Sequence, residues 1–411
     1  MKNNKLFVAI IVALILGVFA GAITHYYYPS FQEEFSKNVK LLGTIFIRMV
    51  QMIIAPLVFS TLVVGIAKMG DLKMVGRVGA KAMAWFVTAS LISLLLGLVL
   101  VNTLNPGKKT EISLDQLDGA SEIIEKTQTF SLEEFVKHLV PKSIFEAMAT
   151  NEILQIVIFS ILFGIALASL GRKGKLIISS LDTLSHVILK MVTYIMWVAP
   201  FGVFGSVAAA VAKHGFGIFE LYAHYLIAFV IGIAVLWIIL LIVGYLFLGK
   251  RLFILLQRIK TPLLIAFSTT SSEAVFPKLV EELERFGCQN KIVSFTLPLG
   301  YSFNLDGSMM YMTFASVFIA QVYGIDMSVG EQLTMLLVLM LTSKGVAGVP
   351  RASLIVIVAT CAMFGIPPEG IALILPIDHF CDMARSMTNV LGNSLATAVI
   401  DKWETKPINN E

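Results

Sequence analysis

A single apolar stretch near the end of the chain, Ile371 to Ile400, carries polar and charged side chains at helical spacing. They are Asp378, Asp382, Arg385, Asn389 and Asn393, separated by four, three, four and four residues. With about 100° of turn per residue, these steps place all of them on a stripe roughly 80° wide. Two carboxylates and a guanidinium are too costly to leave facing lipid. The stripe therefore predicts a buried polar site or a partner helix.

The composition indicates an integral membrane protein. Hydrophobic residues make up 57% of the chain and charged residues 14%, whereas soluble domains carry about 25% charged residues. The net charge of +4 comes from short basic segments, and no Lys/Arg cluster with interleaved aromatic residues predicts nucleic-acid binding. Cys288, Cys361 and Cys381 lack the spacing of a metal site or a disulfide framework. We expect no cofactor.

Six long apolar runs precede residue 250 and predict six membrane helices. They are Leu6–Ile23, Leu41–Ala67, Ala80–Leu104, Ile153–Leu170, Leu176–Val198 and Leu221–Leu248. The first run is expected to stay as a helix, because no clean signal-peptide cleavage site follows it. Basic residues follow the second, fourth and sixth runs, and the segment 108–142 is acidic. The positive-inside rule predicts cytoplasmic termini and an external acidic segment in an inner (plasma) membrane protein.

The apolar runs after residue 250 are interrupted near their middles by polar or glycine-rich segments. These interruptions are 268–273, Asn304–Gly307 and 344–350, and the polar-striped helix follows them. The two outer interruptions lie about 77 residues apart and the Asn304 and Asn389 motifs 85 apart, which indicates a degenerate internal repeat. The predicted order is a helical hairpin, a broken helix, a second hairpin and the polar helix.

Interrupted helices at membrane depth are tolerated only where the freed backbone groups line a cavity or are buried in protein. Paired broken segments in two corresponding units point to the substrate site of a transporter. Hairpin tips supply helix N-termini that favour an anion. The unwound backbone at Asn304–Gly307 supplies carbonyl oxygens for a cation. The pattern predicts a site that binds an anion and a cation together.

Four motifs in these segments carry a resemblance to a known family. They are Ser271-Ser272 in the serine-rich tip, Asn304-Leu305-Asp306-Gly307-Ser308, Gly345-Val346-Ala347-Gly348-Val349-Pro350, and Asp382-Met383-Ala384-Arg385-Ser386-Met387-Thr388-Asn389. With Asn105-Pro106-Gly107, the chain from the second run to Trp403 resembles the glutamate transporter family, the dicarboxylate/amino acid:cation symporters. Among its members, the chain resembles the bacterial proton/sodium-glutamate symporters.

The resemblance implies an all-α membrane protein with inverted repeats. Its expected fold has eight transmembrane helices and two re-entrant helical hairpins and works as an elevator-type transporter. Residues 1–250 would form a six-helix region, mostly a trimerisation scaffold, whose third and sixth helices join the transport domain. Residues 251–411 would form the transport core. The expected assembly is a homotrimer in the lipid bilayer.

The resemblance also implies a substrate site for glutamate or aspartate. Arg385 would clamp the side-chain carboxylate, which suits its bidentate fork, and Asp382 would take the amino group. The α-carboxylate would be held by Asn389, Ser272 and the backbone near Val349, with help from neighbouring hydroxyls. Those neighbours are Ser386, Ser271 and Ser308. C4-dicarboxylate members tend to lack the carboxylate at the Asp382 position, so an amino acid is the favoured substrate and a C4-dicarboxylate the alternative.

Two cation sites follow from the same resemblance. The first would use Asn304, Asp306, Asn393 and the carbonyls of Gly300 and Asn389. The second would use backbone oxygens of Ser302, Ser343, Lys344 and Val346. A third, deep site is depleted: Phe86 and Ala89 stand where hydroxyls are expected, and only Ser90 remains. Asn393 also replaces an aspartate of sodium-driven members, so we expect coupling to protons, to fewer sodium ions, or to both.

Two charged residues lie at the predicted hairpin tips. Glu273 resembles a residue of proton-coupled members and is the proton-coupling candidate, with helix capping as the alternative. Arg351 is the candidate for balancing the charge of Asp382, because Thr270 stands where some members have an arginine. Asp378 would either orient Arg385 or support the helix.

Three classes of membrane protein could carry such a polar site. The leading one is a secondary symporter. The second is an anion channel, which this architecture can harbour as a side activity. The third, a membrane-embedded enzyme, is disfavoured because no nucleophile–base pair, metal motif or phosphate loop accompanies the polar residues.

Overall fold

The computed structural model describes residues 2–69, 72–109, 140–216, 222–343 and 352–404, and these ranges contain helices and no strand. In chain order the helices are α1 (Lys2–Tyr27), α2 (Gln32–Met69), α3 (Leu72–Leu104), α4 (Ile144–Ala149), α5 (Ile153–Ser169), α6 (Lys175–Ile195), α7 (Ala199–His214), α8 (Ala223–Leu248), α9 (Arg251–Thr269), α10 (Phe276–Phe286), α11 (Asn290–Phe303), α12 (Asp306–Val322), α13 (Val329–Thr342), α14 (Ala352–Met363) and α15 (Leu375–Glu404). Six of them, α1, α2, α3, α6, α8 and α9, are long and apolar enough to cross a membrane.

The six apolar runs predicted before residue 250 are all helical, but a seventh long helix, α7, lies among them. It was missed because its glycines and alanines weaken an apolar signal. Those small residues are needed for close packing against α2: a side chain on Gly202 would meet Phe46 Cβ at 2.6 Å, and one on Gly205 would meet the Val39 carbonyl at 2.5 Å.

Two of the three interruptions predicted in the second half are confirmed, and the third, 344–350, lies outside the described residues. Helices α9 and α10 pack against one another as a hairpin, and α11 and α12 are separated by Asn304 and Leu305 alone. The break is shorter than the predicted Asn304–Gly307, because Asp306 and Gly307 already form the first turn of α12. The polar helix begins at Leu375 rather than Ile371, since residues Pro368–Leu373 form a 3₁₀ turn.

Helix α12 lies at the centre of the fold, between α3 and α15. Its contact with α3 is close enough to require glycine: a side chain on Gly97 would meet the Met310 carbonyl at 2.5 Å. The Asn105-Pro106-Gly107 turn docks at the other end of α12, where Gln321 Oε1 accepts from the Gly107 N–H at 3.1 Å. These contacts hold α3 and α12 in register.

The far end of α15 is tied to the start of α3 by a charged cluster. The buried carboxylate of Glu404 accepts hydrogen bonds from Arg77 at 2.7 Å and Lys81 at 2.6 Å. Beside it, the Trp403 ring packs edge-on against Trp85 and Phe247, with centroids 5.9 and 5.3 Å away. The hydrogen bond from Arg77 is the main cause that lowers the pKa of Glu404 below its usual 4.5.

We expect Gly97→Ala to destabilise the protein by about 1–3 kcal/mol, because the added methyl group overpacks a backbone contact. Gly76→Ala is the matched control on the same helix, since a side chain there meets nothing within 4 Å. The control should be neutral or more stable by up to about 1 kcal/mol. Thermal unfolding in detergent compares the two. Equal destabilisation would contradict the packing argument.

We expect Glu404→Gln to cost about 1 kcal/mol at neutral pH, because Arg77 and Lys81 lose a charged acceptor. The pKa of Glu404 is lower in the folded state than in the unfolded chain. The ionised carboxylate therefore stabilises the fold fully at any pH above the pKa of the unfolded chain. This stabilisation is lost as the pH falls through the pKa that Glu404 has in the folded state. Unfolding curves of both proteins, measured from neutral pH downward, should therefore converge in acid. A difference in unfolding free energy that stays constant with pH would contradict this assignment.

Candidate functional site

The centre of the polar stripe on α15 is Arg385, of which 2% is exposed. Its Nη2 lies 3.0 Å from Asp382 Oδ1 and 3.3 Å from Asp378 Oδ1. Both carboxylates come from the preceding two turns of the same helix, as the spacing predicted. Asp378 therefore pairs with Arg385, which was one of its two predicted roles.

A residue of α12, Tyr311, fixes Arg385 from the other side. Its ring centroid lies 4.0 Å from Arg385 Cζ, and its hydroxyl donates to Asp378 Oδ1 at 2.8 Å. Phe229 of α8 packs edge-on against the tyrosine, with centroids 5.8 Å apart. A cation over an aromatic face in a dry site gains about 2 kcal/mol or more. The guanidinium is thus held in a defined place and orientation.

Arg385 nevertheless keeps unused hydrogen-bonding capacity. Its Nε and Nη1 are buried and have no hydrogen-bond partner among the described residues. A buried N–H group without an acceptor is costly. Each of these unused N–H groups can donate a charge-assisted hydrogen bond to an anionic oxygen.

Asp382, whose charge Arg351 was predicted to balance, has a basic partner on its own helix. Arg385 follows it by three residues and pairs with it at 3.0 Å. Asp382 also accepts from the Ser386 hydroxyl at 3.2 Å, and its side chain remains 30% exposed. Residues three apart on a helix are spatial neighbours, so this pairing is a local feature of α15. Arg351 itself lies outside the described residues.

Asn389, one turn after Arg385, joins α15 to the start of α12. Its Oδ1 accepts from the backbone N–H groups of Gly307 at 2.9 Å and Ser308 at 3.3 Å, and its Nδ2 donates to Ser308 Oγ at 3.1 Å. The backbones approach so closely that a side chain on Gly307 would meet the Arg385 carbonyl at 2.7 Å. Asn389 and Ser308 are brought together, as predicted.

The helix break forms a second polar cluster, made of Asn304, Asp306 and Asn393. The Asn304 Nδ2 lies 3.2 Å from Asp306 Oδ2 and 3.3 Å from Asn393 Oδ1. Asn304 Oδ1 and Asn393 Nδ2 are buried without a hydrogen-bond partner in the described structure. Carboxylate and amide oxygens are the ligands of hard cations. This oxygen-rich cluster fits the predicted cation site.

Two further predicted ligands border this cluster. The Gly300 carbonyl accepts from the Asn304 N–H at 2.8 Å, so it belongs to the last turn of α11. The Ser90 hydroxyl, on α3, donates to the Phe303 carbonyl at 3.3 Å. Ser302 and Ser343, predicted for the second cation site, are both buried.

The serine-rich tip between α9 and α10 is held by its own hydrogen bonds. Ser271 Oγ accepts from the Ala274 N–H at 3.2 Å, and the Ser272 carbonyl accepts from the Tyr301 hydroxyl at 2.9 Å. Thr270 is in the left-handed region at φ 52°, which is unfavourable for a β-branched residue. Strained residues of this kind cluster at ligand sites. Glu273 opens the following 3₁₀ turn.

Four of the predicted residues belong to the second tip. Lys344, Val346, Val349 and Arg351 lie outside the described residues. The assignments made for them therefore stay predictions.

Sequence reasoning missed three side chains that support the site from other helices. Tyr311 holds Arg385, Ser93 on α3 lies 3.5 Å from Asp306 Oδ1, and Trp237 on α8 donates to Thr388 Oγ1 at 2.8 Å. Each is a common residue in an apolar helix, so its type carried no signal. For Ser93, helical spacing from Ser90 by three residues was the available clue.

These features define a polytopic membrane protein with a buried arginine centre on α15 and a buried oxygen cluster where α15 meets the break between α11 and α12, which is the construction of an ion-coupled transporter. The profile of the sodium:dicarboxylate symporter family matches residues 6–403. The chain belongs to this family, which consists of transporters and not of enzymes.

Similar proteins cover nearly the whole chain. It is 41% identical over 409 residues to the proton/sodium-glutamate symport protein of Bacillus caldotenax, covering 98% of this chain and 96% of the relative. It is 41% identical to the C4-dicarboxylate transport protein of Bacillus subtilis, with 98% and 94% covered. It is 38% identical to the proton/glutamate-aspartate symporter of Escherichia coli, with 99% and 95% covered. The family membership confirms the resemblance seen in the motifs.

We expect Arg385→Gln to destabilise the protein by about 3–5 kcal/mol, because two carboxylates lose their buried cation. The control is Arg285→Gln on α10, an arginine that also pairs with a carboxylate three residues before it but is 48% exposed. That variant should lose at most about 1 kcal/mol. Adding Asp382→Asn to Arg385→Gln should restore part of the loss in thermal unfolding. No restoration would contradict the charge argument.

Proposed function

We propose that this protein is a secondary active symporter that takes up glutamate and aspartate together with protons, sodium ions or both. The observation that carries this proposal is Arg385, a buried guanidinium with two unused N–H donors beside a partly exposed carboxylate, Asp382. A carboxylate acceptor and an ammonium donor are both features of an acidic amino acid. The names of the relatives from Bacillus caldotenax and Escherichia coli agree with this substrate class.

In the proposed complex, the substrate's side-chain carboxylate accepts hydrogen bonds from the unused N–H groups of Arg385. Its ammonium group binds Asp382, which keeps 30% of its side chain exposed and accepts only two described contacts. The α-carboxylate lies near Asn389, Ser386 and the two hairpin tips, represented by Ser271, Ser272 and Val349. Asn389 Nδ2 donates to Ser308 Oγ. In the proposed complex, this amide group would turn from the Ser308 hydroxyl to the α-carboxylate.

We place the coupling cation at Asp306, Asn304 and Asn393, with the carbonyls of Gly300 and Asn389. A second cation site uses backbone oxygens of Ser302, Ser343, Lys344 and Val346. Ser90 contributes at the edge of the first site. The proton-coupling candidate is Glu273, which opens the 3₁₀ turn after the serine-rich tip. Its place in the hairpin tip would link protonation to closure of the site.

The proposed mechanism is alternating access of the elevator type. The chain would have eight transmembrane helices and two re-entrant hairpins, α9–α10 and α13–α14, in a homotrimer with cytoplasmic termini. The bulk of residues 1–250 would form the fixed scaffold and residues 251–411 the moving domain. The docking of α3 on α12 supports the expectation that α3 moves with the second half of the chain.

The second candidate substrate is a C4-dicarboxylate, which the name of the Bacillus subtilis relative suggests. One observation favours it: Asp382 is paired with Arg385 at 3.0 Å. This pairing gives the carboxylate a role without an ammonium ligand. Anion-channel activity would be a side property of either carrier.

The deciding experiment is uptake into proteoliposomes with sodium and pH gradients imposed separately. Labelled glutamate, aspartate and succinate are supplied in turn. Accumulation of glutamate or aspartate above the external concentration is the expected result, and the gradient that supports it identifies the coupling ion. Saturable conductance without accumulation would favour a channel. Accumulation of succinate alone would favour the dicarboxylate carrier.

We expect Arg385→Cys to reduce glutamate uptake by about 100-fold, because two charge-assisted hydrogen bonds are lost. Asp382→Asn should raise the KM for glutamate about tenfold and change that for succinate by less than about threefold. Arg285→Gln, outside the site, serves as the control for both. Undiminished glutamate uptake by Arg385→Cys would reject the carboxylate clamp. An equal loss for both substrates in Asp382→Asn would reject the ammonium contact.

A further inference from the structure

We propose that the hydroxyl of Ser93 is a ligand of the coupling cation, and that the absence of a side chain at Gly392 keeps the Asp306 carboxylate in this site. The inference rests on the proposed function and specifies its cation site. The occupant is a monovalent hard cation of the size of sodium. Neither Ser93 nor Gly392 stands out by sequence motif.

Ser93 behaves differently from other buried hydroxyls in the helices. Ser60 and Ser160 donate to the carbonyl four residues earlier, at 2.7 and 2.6 Å, as serine in an apolar helix commonly does. Ser93 makes no such bond in the described structure. Although only 1% exposed, it is directed at Asp306 Oδ1 across the α3–α12 contact.

The separation of the two oxygens fits a shared cation better than a direct hydrogen bond. Ser93 Oγ lies 3.5 Å from Asp306 Oδ1, whereas hydroxyl–carboxylate bonds have lengths of about 2.5–2.7 Å. For a cation with oxygen ligands about 2.4 Å away, two ligands at a right angle lie about 3.4 Å apart. The observed spacing therefore matches neighbouring positions in a coordination shell.

Asn304 provides an independent sign of an incomplete site. Its Nδ2 lies between Asp306 Oδ2 and Asn393 Oδ1, at 3.2 and 3.3 Å, where an amide donor places partial positive charge between two oxygens. Its Oδ1 is fully buried without a hydrogen-bond partner in the described ranges. Rotation of this amide would turn the orphaned oxygen toward the cation and satisfy it.

Gly392 supplies the space that this arrangement needs. A side chain at this position would overlap Asp306 Oδ2 and would approach Asn304 Nδ2 at 3.3 Å. Gly300 has the matching role for the other amide ligand, because a side chain there would overlap Asn393 Oδ1. Gly392 and Gly300 thus leave room for the two oxygens that lie next to Asn304 Nδ2.

The charge and ligand set select a monovalent cation. Asp306 is the single carboxylate among the ligands, while Ser93, Asn304 and Asn393 are neutral. Divalent sites normally contain more carboxylates and a larger shell. Phe86, whose ring edge lies 3.6 Å from the position of a Gly300 side chain, occupies the space where a further hydroxyl was expected. Ser93, one turn beyond Ser90, replaces that missing oxygen.

The test is equilibrium binding of ²²Na⁺ to the purified full chain, without substrate. We expect Ser93→Ala to weaken binding about tenfold, which corresponds to the loss of one neutral polar contact. The buried hydroxyl control is Ser160→Ala on α5, which should bind within about twofold of the parent protein. Equal affinity of Ser93→Ala and Ser160→Ala would overturn the inference.

Gly392→Ala should weaken ²²Na⁺ binding at least as strongly, about tenfold or more, because it displaces the charged ligand. Gly244→Ala on α8 is its control, because a side chain there would meet an apolar group of α15, Leu395 Cδ2, at 2.8 Å. If both variants lose the same ²²Na⁺ affinity, the effect of Gly392→Ala comes from helix packing alone, and the assignment of Gly392 is overturned. If the parent protein binds no sodium yet accumulates glutamate under a pH gradient, the sodium site is rejected and the proposed function stands.

Discussion

The structure depends on keeping one positive charge inside an apolar helical protein. Arg385 is held by two carboxylates of its own helix and by the face of Tyr311 from α12. A buried charge is tolerated only with close partners of this kind. The same requirement fixes the rotation of α15 and brings α12 and α8 against it. Because the partners leave two N–H groups unused, the centre is stable yet still able to accept an anionic ligand.

Helix α15 connects this arginine centre with the oxygen cluster at the break between α11 and α12. Arg385 and Asn393 are eight residues apart on α15, a distance of about 12 Å along the axis. Between them, Asn389 holds the first N–H groups of α12, directly after Asn304 and Asp306. A change at the cation cluster therefore acts on the same backbone that positions Asn389. In the proposed function, this shared contact is the physical route by which cation and substrate binding favour one another.

Much of this arrangement was predictable. The polar stripe, the interruption between α9 and α10 and the break between α11 and α12 were predicted from the sequence, because polar groups inside an apolar membrane protein occur only where they have partners or line a cavity. Other features were not. Helix α7 was hidden by its small residues, and the pairing of Asp382 with Arg385 was overlooked in favour of Arg351. Tyr311 and Ser93 were missed because their roles come from helices distant in the chain, where tyrosine and serine are unremarkable.

The sequence by itself determined the membrane class, the order of helices and which helix carries the charge, since these depend on composition and on periodicity along one chain. Its motifs also identified the family. Only the tertiary structure decided which groups neutralise Arg385, which hydroxyl reaches Asp306 and which glycines make room for the side chains of Asp306 and Asn393. Those facts depend on contacts between α3, α12 and α15. Such contacts are set by packing at the level of single atoms, and residue type and spacing along one helix do not encode the partner on another.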